Sequence, residues 1–254
     1  MHYTFPVIGT IHSCFKEKFG IPRQPGLAPL ATALLELLPP YDDPAALEGL
    51  EGCSHIWLQF VFHANSGDTW KPKVRPPRLG GNKSLGLFAT RSPFRPAPIG
   101  LSVVKLDAIQ RAGEKLFLRL SGIDLLDGTP VLDIKPYLPY ADSINNAVNE
   151  FASQAPSFVP VSLDASSSAF CAAYQRQTGV DLASLIIQLL RQDPRPSYQK
   201  PEADRIYGMK LLHFDLHWYY IIKQDSYGIK QDSYEIQVNS IIDLDHQKHR
   251  FTTT

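Results

Sequence analysis

Residues 74–102, VRPPRLGGNKSLGLFATRSPFRPAPIGLS, set the first limit on the fold. Pro76, Pro77, Pro93, Pro96 and Pro98 fix φ and lack a backbone donor, and Gly80, Gly81, Gly86 and Gly100 weaken any regular element. No helix runs through such a stretch, so the segments on either side must carry the fold. The stretch is also one-sided in charge. Between Asp68 and Asp107 there is no acidic residue, while Lys71, Lys73, Arg75, Arg78, Lys83, Arg91, Arg95 and Lys105 all lie there. The whole chain balances 25 Lys and Arg against 25 Asp and Glu, so the excess is a local choice. Cations on stiffened backbone suit a site that grips phosphates or another polyanion, because little entropy is lost on engagement.

The flanking segments read as β. Val7 to Ile11 is a short strand, followed by the turn cluster FGIPRQPG. DDPAALEGL starts a short helix, with Asp43 as N-cap and Pro44 at the first helical position. SHIWLQFVFH alternates, with Ile56, Leu58, Phe60 and Phe62 on one face and Trp57, Gln59, Val61 and His63 on the other. LGLFA, LSVVKLDAI, KLFLRLSGI and TPVLDI read as further short strands. Many short strands and little helix indicate a small closed barrel or sandwich. Near Ala141 the composition changes. SINNAVNEFASQAPSFVPVS is loop-like, and SSSAFCAAYQRQTG and DLASLIIQLLRQD read as helices. The second is capped by Asp181 and has Leu182, Leu185, Ile186, Leu189 and Leu190 on one side. YGMKLLHFDLHWYYII and SYEIQVNSIIDL then read as a terminal hairpin. The expected organisation is a mainly β N-terminal domain over 1–142, a single-sheet barrel, a linker over 143–165, and a smaller α+β domain over 166–254. KQDSYGI at 223–229 is repeated at once as KQDSYEI at 230–236, which reads as a surface insertion lengthening the hairpin turn.

Several chemistries are excluded. GGNKS, Gly80 to Ser84, is no phosphate loop, since Asn82 and Pro77 stand where such a loop needs glycine. HFDLH has the zincin histidine spacing but no Glu after His213, and no third ligand is evident, so no metal is expected. No GxGxxG follows a strand, which argues against a doubly wound dinucleotide fold. Cys14, Cys53 and Cys171 form neither a CxxC nor a disulfide framework. The start MHYTFPVIGTIHS lacks a basic region and a continuous apolar run, and no stretch approaches a membrane span. A soluble cytoplasmic protein is expected.

ATRSPFRPAPIGLS, with PRQPGL at Pro22 to Leu27 and DLLDGTPVLDIKPYLP at Asp124 to Pro139, resembles the TrmO (TsaA-like) family. The match is dense from about Ile8 to Tyr140 and resumes as DPRPSY at Asp193 to Tyr198. The resemblance implies an S-adenosylmethionine-dependent tRNA methyltransferase with a β-barrel fold, acting on N6 of threonylcarbamoyl-adenosine at tRNA position 37, in the anticodon region. It implies a homodimer. It also implies that Pro22, Arg23, Gln24, His63, Ala64, Arg91, Leu101 and the segment Leu126, Asp127, Gly128 and Thr129 line the S-adenosylmethionine pocket. Ala97 stands where the family more often has Asn. Arg75, Arg78, Lys83 and Arg95, together with Arg195 of DPRPSY, are the expected tRNA contacts.

Asp133 and Lys135 are two apart on an expected strand and so share a face, together with Tyr137. An acid, a base and a phenol side by side can hold a proton-transfer network, and these three are the catalytic candidates. The residues alone also fit a rung of cross-strand ion pairs. A non-catalytic RNA-binding barrel is the alternative function, with the basic loop used only for docking.

Overall fold

Through the first half of the chain, buried and more open residues alternate along most of the longer strands, as in a sheet with one packed face. The strands are β1 (Gly9–Ser13), β2 (Thr32–Leu37), β3 (His55–Val61), β4 (Lys73–Val74), β5 (Leu85–Gly86), β6 (Ile99–Ala112), β7 (Lys115–Ser121) and β8 (Pro130–Pro136). In the computed structural model, which describes residues 2–65, 70–76, 83–196, 198–223 and 233–245, six of them close into a barrel in the order β1-β2-β7-β6-β3-β8. Closure leaves no sheet edge. Ile11, Leu35, Ile56, Leu58, Leu118, Leu120 and Val131 fill the interior. The short pair β4-β5 stands apart from the barrel sheet.

β2 has no counterpart in the sequence reading, since TALLEL is built of good helix formers. Alternation overrides that propensity. Ala33, Leu35 and Leu37 turn inward, and Glu36, on the outer face, pairs with His12 of β1 and Lys115 of β7, both at 2.8 Å. LGLFA, expected as a strand, is only the end of a two-residue pairing, and Leu87–Ala89 is a turn of 3-10 helix. Thr90 ends it by donating both its amide and its hydroxyl to the Leu87 carbonyl. The helix expected after Asp43 is likewise 3-10, over Pro44–Leu47, with the Asp43 carboxylate accepting from the Ala45 amide.

A close approach and a bulge shape the barrel wall. Gly100 of β6 faces Phe60 of β3, and a Cβ there would overlap the Phe60 ring. β8 carries a bulge where it meets β3, so that Gln59 opposes Asp133 while Phe60 opposes Val131.

This barrel unit comprises Met1–Cys14, Arg23–Ala155 and Pro196–Tyr198, and its only α-helix among the described residues is the short α1 (Pro139–Asp142). A second unit comprises Phe15–Pro22, Pro156–Arg195 and Gln199–Thr254. It contains β9 (Val161–Leu163), α2 (Ala165–Thr178), α3 (Leu182–Leu190), β10 (Tyr207–Leu211), β11 (Phe214–Lys223) and β12 (Ser233–Asp243). Asp164 and Asp181 cap the helices by accepting from the Ser167 and Ser184 amides. All five apolar residues expected on one side of α3 are buried. The sheet runs β10-β11-β12-β9, with β9 parallel to β12. The expected single hairpin is therefore three antiparallel strands, because Leu212, at φ 56°, turns the chain inside YGMKLLHFDLHWYYII. VPVS, read as loop, supplies β9. Phe15–Pro22 joins this unit: the Glu17 carboxylate accepts from the Lys210 amide, and Phe19 stacks on Trp218.

The second unit also answers one of the sequence expectations. Arg195, expected at the RNA, is 4% exposed. It donates to both oxygens of Asp193 at 2.6 and 3.0 Å and to the Gln199 carbonyl, and it lies over the rings of Tyr220 and Tyr234. A guanidinium so committed has no face to offer a phosphate. Asp193 takes a left-handed backbone conformation and also accepts from both tyrosine hydroxyls. Burial alone would raise its pKa, but the hydrogen bonds from Arg195, Tyr234 and Tyr220 outweigh that and hold it below the ordinary carboxylate range.

The repeat enters here. Lys223 of the first copy pairs in register with Ser233 of the second, and its amine meets Glu235 at 2.8 Å. Tyr234 and the buried Ile236 belong to the second copy, which is therefore structural in part. The intervening residues 224–232, like Arg78, lie outside the described residues.

Removing one partner of a buried, hydrogen-bonded ion pair leaves the other charge stranded. Arg195→Ala is expected to lower the free energy of unfolding by about 3–5 kcal/mol, measured by urea denaturation followed through tryptophan fluorescence. A loss below about 1 kcal/mol, the level of an exposed pair, would remove the cluster's structural role.

Candidate active site

β3 lies between β6 and β8, so its outward residues define rungs across three strands. Gln59 sits between Leu101 and Asp133, and Trp57 between Val103 and Lys135. The next rung is closed by the Tyr137 amide, which donates to the His55 carbonyl. The three catalytic candidates thus stand on the outer wall of the barrel, and Leu101 of the cofactor set shares the Asp133 rung. Lys135 Nζ is 2.6 Å from Asp133 Oδ2, both side chains being about half exposed. Tyr137 is apart from that ion pair among the described contacts. Its ring lies against Trp57 and His55, and Trp57 donates its indole N–H to Asp142.

At the far end of β3 the chain forms a single 3-10 turn, His63–Asn65, which carries His63 and Ala64. The segment Leu126–Thr129 is brought to it. Thr129 donates its amide and its hydroxyl to the Leu126 carbonyl, closing the turn, and Gly128 takes φ +78°. The turn is fixed to β1: the Gly128 amide donates to the Ile11 carbonyl, the Ile11 amide to Thr129, and the Ser13 amide to the Asp127 carboxylate. Gly128 faces His63, whose Nε2 is 4.0 Å from where a Cβ would stand. Bare backbone is therefore presented to the imidazole.

A second group gathers around Arg91. Its guanidinium donates to the Gln24 side-chain carbonyl, which joins the PRQPGL and TRSPFRP segments. Arg91 also acts by charge on Asp124, whose carboxylate accepts from the buried Ser102 hydroxyl of β6 at 2.7 Å. Burial pushes the Asp124 pKa up to about 6, more than the Ser102 hydrogen bond and the Arg91 charge pull it down. Sequence reasoning named neither Asp124 nor Ser102 as a site residue. Nothing in DLLDG marks the first aspartate as the enclosed one, since its burial depends on a strand some twenty residues earlier. Pro22 closes the segment that groups with the second unit, and Arg23 is exposed.

The loop between them is built by its own hydroxyls and carbonyls. The Ser92 amide donates to the Thr90 hydroxyl, the Arg95 amide to the Pro93 carbonyl, and the Phe62 amide to Pro98, tying the loop to the end of β3. Arg95 donates to the Thr90 carbonyl at 2.7 Å and lies over the Phe88 ring, which is 76% exposed. Arg75 is exposed, and Lys83 lies over the Phe151 ring. Between this loop and β3 is a cleft of about 280 Å³ lined by residues that include His63, Trp70, Phe94 and Arg95. His63, from the cofactor set, and Arg95, from the RNA set, therefore share one cavity. Among the described residues no group of three or more His, Cys, Asp or Glu is placed to hold a metal ion.

The sequence pattern of the tRNA-methyltransferase O N-terminal domain matches residues 10–143, and that of the TrmO C-terminal domain matches residues 156–231. The chain belongs to the TrmO family. A Pseudomonas aeruginosa relative with the provisional name S-adenosylmethionine-dependent methyltransferase is 54% identical over 220 residues, 87% of this chain and 94% of its own. The tRNA (adenine(37)-N6)-methyltransferase of Escherichia coli strain K12 is 44% identical over 218 residues, 85% of this chain and 92% of its own. The crystal structure of TrmO from Pseudomonas aeruginosa superposes with a TM-score of 0.75 at 42% identity, covering 95% of this chain and 99% of that one. TrmO proteins thus share this barrel, which is not a doubly wound sheet.

Asp124 supplies a pH test. Its folded pKa lies above the unfolded value, so its contribution to stability is fully present below about pH 3.8 and lost as pH rises through about 6. Asp124→Asn keeps an acceptor for Ser102 and removes the enclosed charge. It is expected to stabilise the fold at pH 7–8 by on the order of 1–3 kcal/mol, with the gain vanishing below pH 4, as read from thermal unfolding across pH. A gain independent of pH would assign the effect to something other than this carboxyl.

Proposed function

We propose that this chain transfers a methyl group from S-adenosylmethionine to N6 of adenosine 37 in tRNA, and that its preferred substrate carries the threonylcarbamoyl group on that nitrogen. The observation that carries the reading is the shared cavity, in which a cofactor-set histidine and a basic-loop arginine meet beside the Leu126–Thr129 turn. Family membership and the names of the relatives support the activity. The site residues are chemically suited to S-adenosylmethionine. Gly128 leaves the turn open toward His63, Leu101 offers an exposed apolar surface, and Arg91 and Asp124 supply opposite charges for a zwitterionic amino-acid group. When bound, S-adenosylmethionine supplies an electrophilic methyl carbon. Pro22, Arg23, Gln24, His63, Ala64, Arg91, Leu101 and Leu126–Thr129 hold it.

The protein's own task is alignment and proton removal. N6 of the modified base belongs to a urea-like group, so its lone pair is delocalised and its proton must leave. Asp133 is the proton acceptor in this reading, with Lys135 fixing its carboxylate at 2.6 Å and Tyr137 further along the same wall against His55 and Trp57. Arg75, Lys83 and Arg95 meet the RNA backbone.

The active form is a cytoplasmic homodimer in this reading. Ile99, Leu101, Leu138 and Tyr140 are exposed apolar residues on and beside the outer wall, the kind of surface a second copy covers. Among the described residues no helix is long and apolar enough to cross a membrane. Light scattering should give twice the chain mass of 28.4 kDa, and a monomer in active preparations would refute the dimer.

The substrate assignment is tested by comparing methylation of tRNA with and without the threonylcarbamoyl group at position 37, at identical salt. A site that pairs the threonine carboxylate leaves cations unpaired when it is missing, so a rate ratio on the order of a hundredfold or more is expected. Equal rates would refute the modified substrate and leave methyl transfer to adenosine 37 standing.

A further inference from the structure

We infer that the cleft between the proline loop and the end of β3 is a purine pocket, which receives the adenine ring of the target nucleotide and stacks it on Trp70. The inference rests on the methyltransferase reading above for the identity of the RNA, and on the cleft itself for the rest.

Size comes first. At about 280 Å³, the cleft falls just under the roughly 300 Å³ at which sites for whole small molecules begin. It suits one flat ring system and not the whole of S-adenosylmethionine. Its chemistry is equally selective. Trp70 and Phe94 are aromatic walls, Pro96 and Pro98 are apolar ones, and among the described residues no carboxylate lines it. Trp70 is 52% exposed and Phe88, under Arg95, is 76% exposed. Large aromatic rings left open within an acid-free basic window are costly unless something covers them. Aromatic faces interleaved with Lys and Arg are how proteins hold unpaired bases, because every base has a π-face and every nucleotide a phosphate.

The surroundings supply both halves. Lys71 lies over the Phe94 ring at 5.2 Å, and Arg95 is oriented by the Thr90 carbonyl and the Phe88 ring. The walls are held before any ligand arrives. The Lys71 amide donates to the Phe94 carbonyl, and the Phe62 amide to Pro98. His63 decides which base enters. It lines the cleft and also faces Gly128 of the turn assigned to the cofactor. A ring in the cleft therefore has an edge toward His63 and the turn assigned to the cofactor, which describes the reacting base and not a neighbour. That base must leave the stack of its loop, and a stacking partner repays part of the cost.

The test is a cycle of two proteins and two RNAs. Wild type and Trp70→Ala are titrated with an anticodon stem-loop RNA carrying adenosine at position 37, and with the same RNA abasic there. Loss of one base–aromatic stack should weaken binding of the adenosine RNA about tenfold or more, and that of the abasic RNA less than twofold. Trp70→Phe should recover most of the affinity. Calorimetry should show S-adenosylmethionine binding within twofold of wild type. Equal losses on the two RNAs, or no loss on either, would overturn the pocket. So would a loss confined to S-adenosylmethionine, which would give the cleft to the cofactor's own adenine. The cycle reads binding alone, so it decides the pocket even if methyl transfer to adenosine 37 is not found.

Discussion

The Phe60 ring occupies the space that any side chain at residue 100 would need. That contact holds β3 and β6 together in a register running from His55↔Lys105 to Val61↔Ile99. The register has consequences at both ends. At one end, the Phe62 amide reaches the Pro98 carbonyl, so the proline loop starts from the point where β3 stops and His63 begins. At the other, Trp57 and Gln59 are set between the outward residues of β6 and β8. The cleft, the Asp133–Lys135 pair and the wall between them all take their positions from this seam. A larger residue at 100 would part the strands and separate the cavity from the face that carries the Asp133–Lys135 pair.

Much of this was legible in the chain. SHIWLQFVFH alternates so strictly that its two faces could be read. Pro and Gly spacing excluded helix from the basic window. What escaped had physical reasons. TALLEL is a strand because closure demands a partner between β1 and β7, a tertiary need that local propensity opposes. Asp124 looked like an ordinary turn residue because its partner Ser102 is on another strand. Arg195 looked like a phosphate ligand because charge in a sequence carries no record of burial. The aromatic residues at 70, 88 and 94 stood in plain view among the basic residues, yet only the folded loop shows that Trp70 and Phe94 line the same cleft.

The two units also differ in how they hold polar groups. In the barrel unit the Asp133–Lys135 ion pair is half open. In the second unit one ion pair is enclosed and fully hydrogen-bonded, with two tyrosine hydroxyls on its carboxylate. Enclosure of that kind fixes a single packing and resists exchange with water. It suits a structural core, whereas catalysis needs groups that a substrate can reach.

The hairpin between β11 and β12 closes on a lysine from one copy of a heptapeptide and on a serine and tyrosine from the next. Each copy contains the same Lys, Ser and Tyr at the same offsets. A duplication of this unit at this point leaves the paired ends chemically identical to those of the unduplicated chain. The strand register is thus blind to the number of copies. A change of length by whole units here keeps the same residue types at the paired ends of β11 and β12.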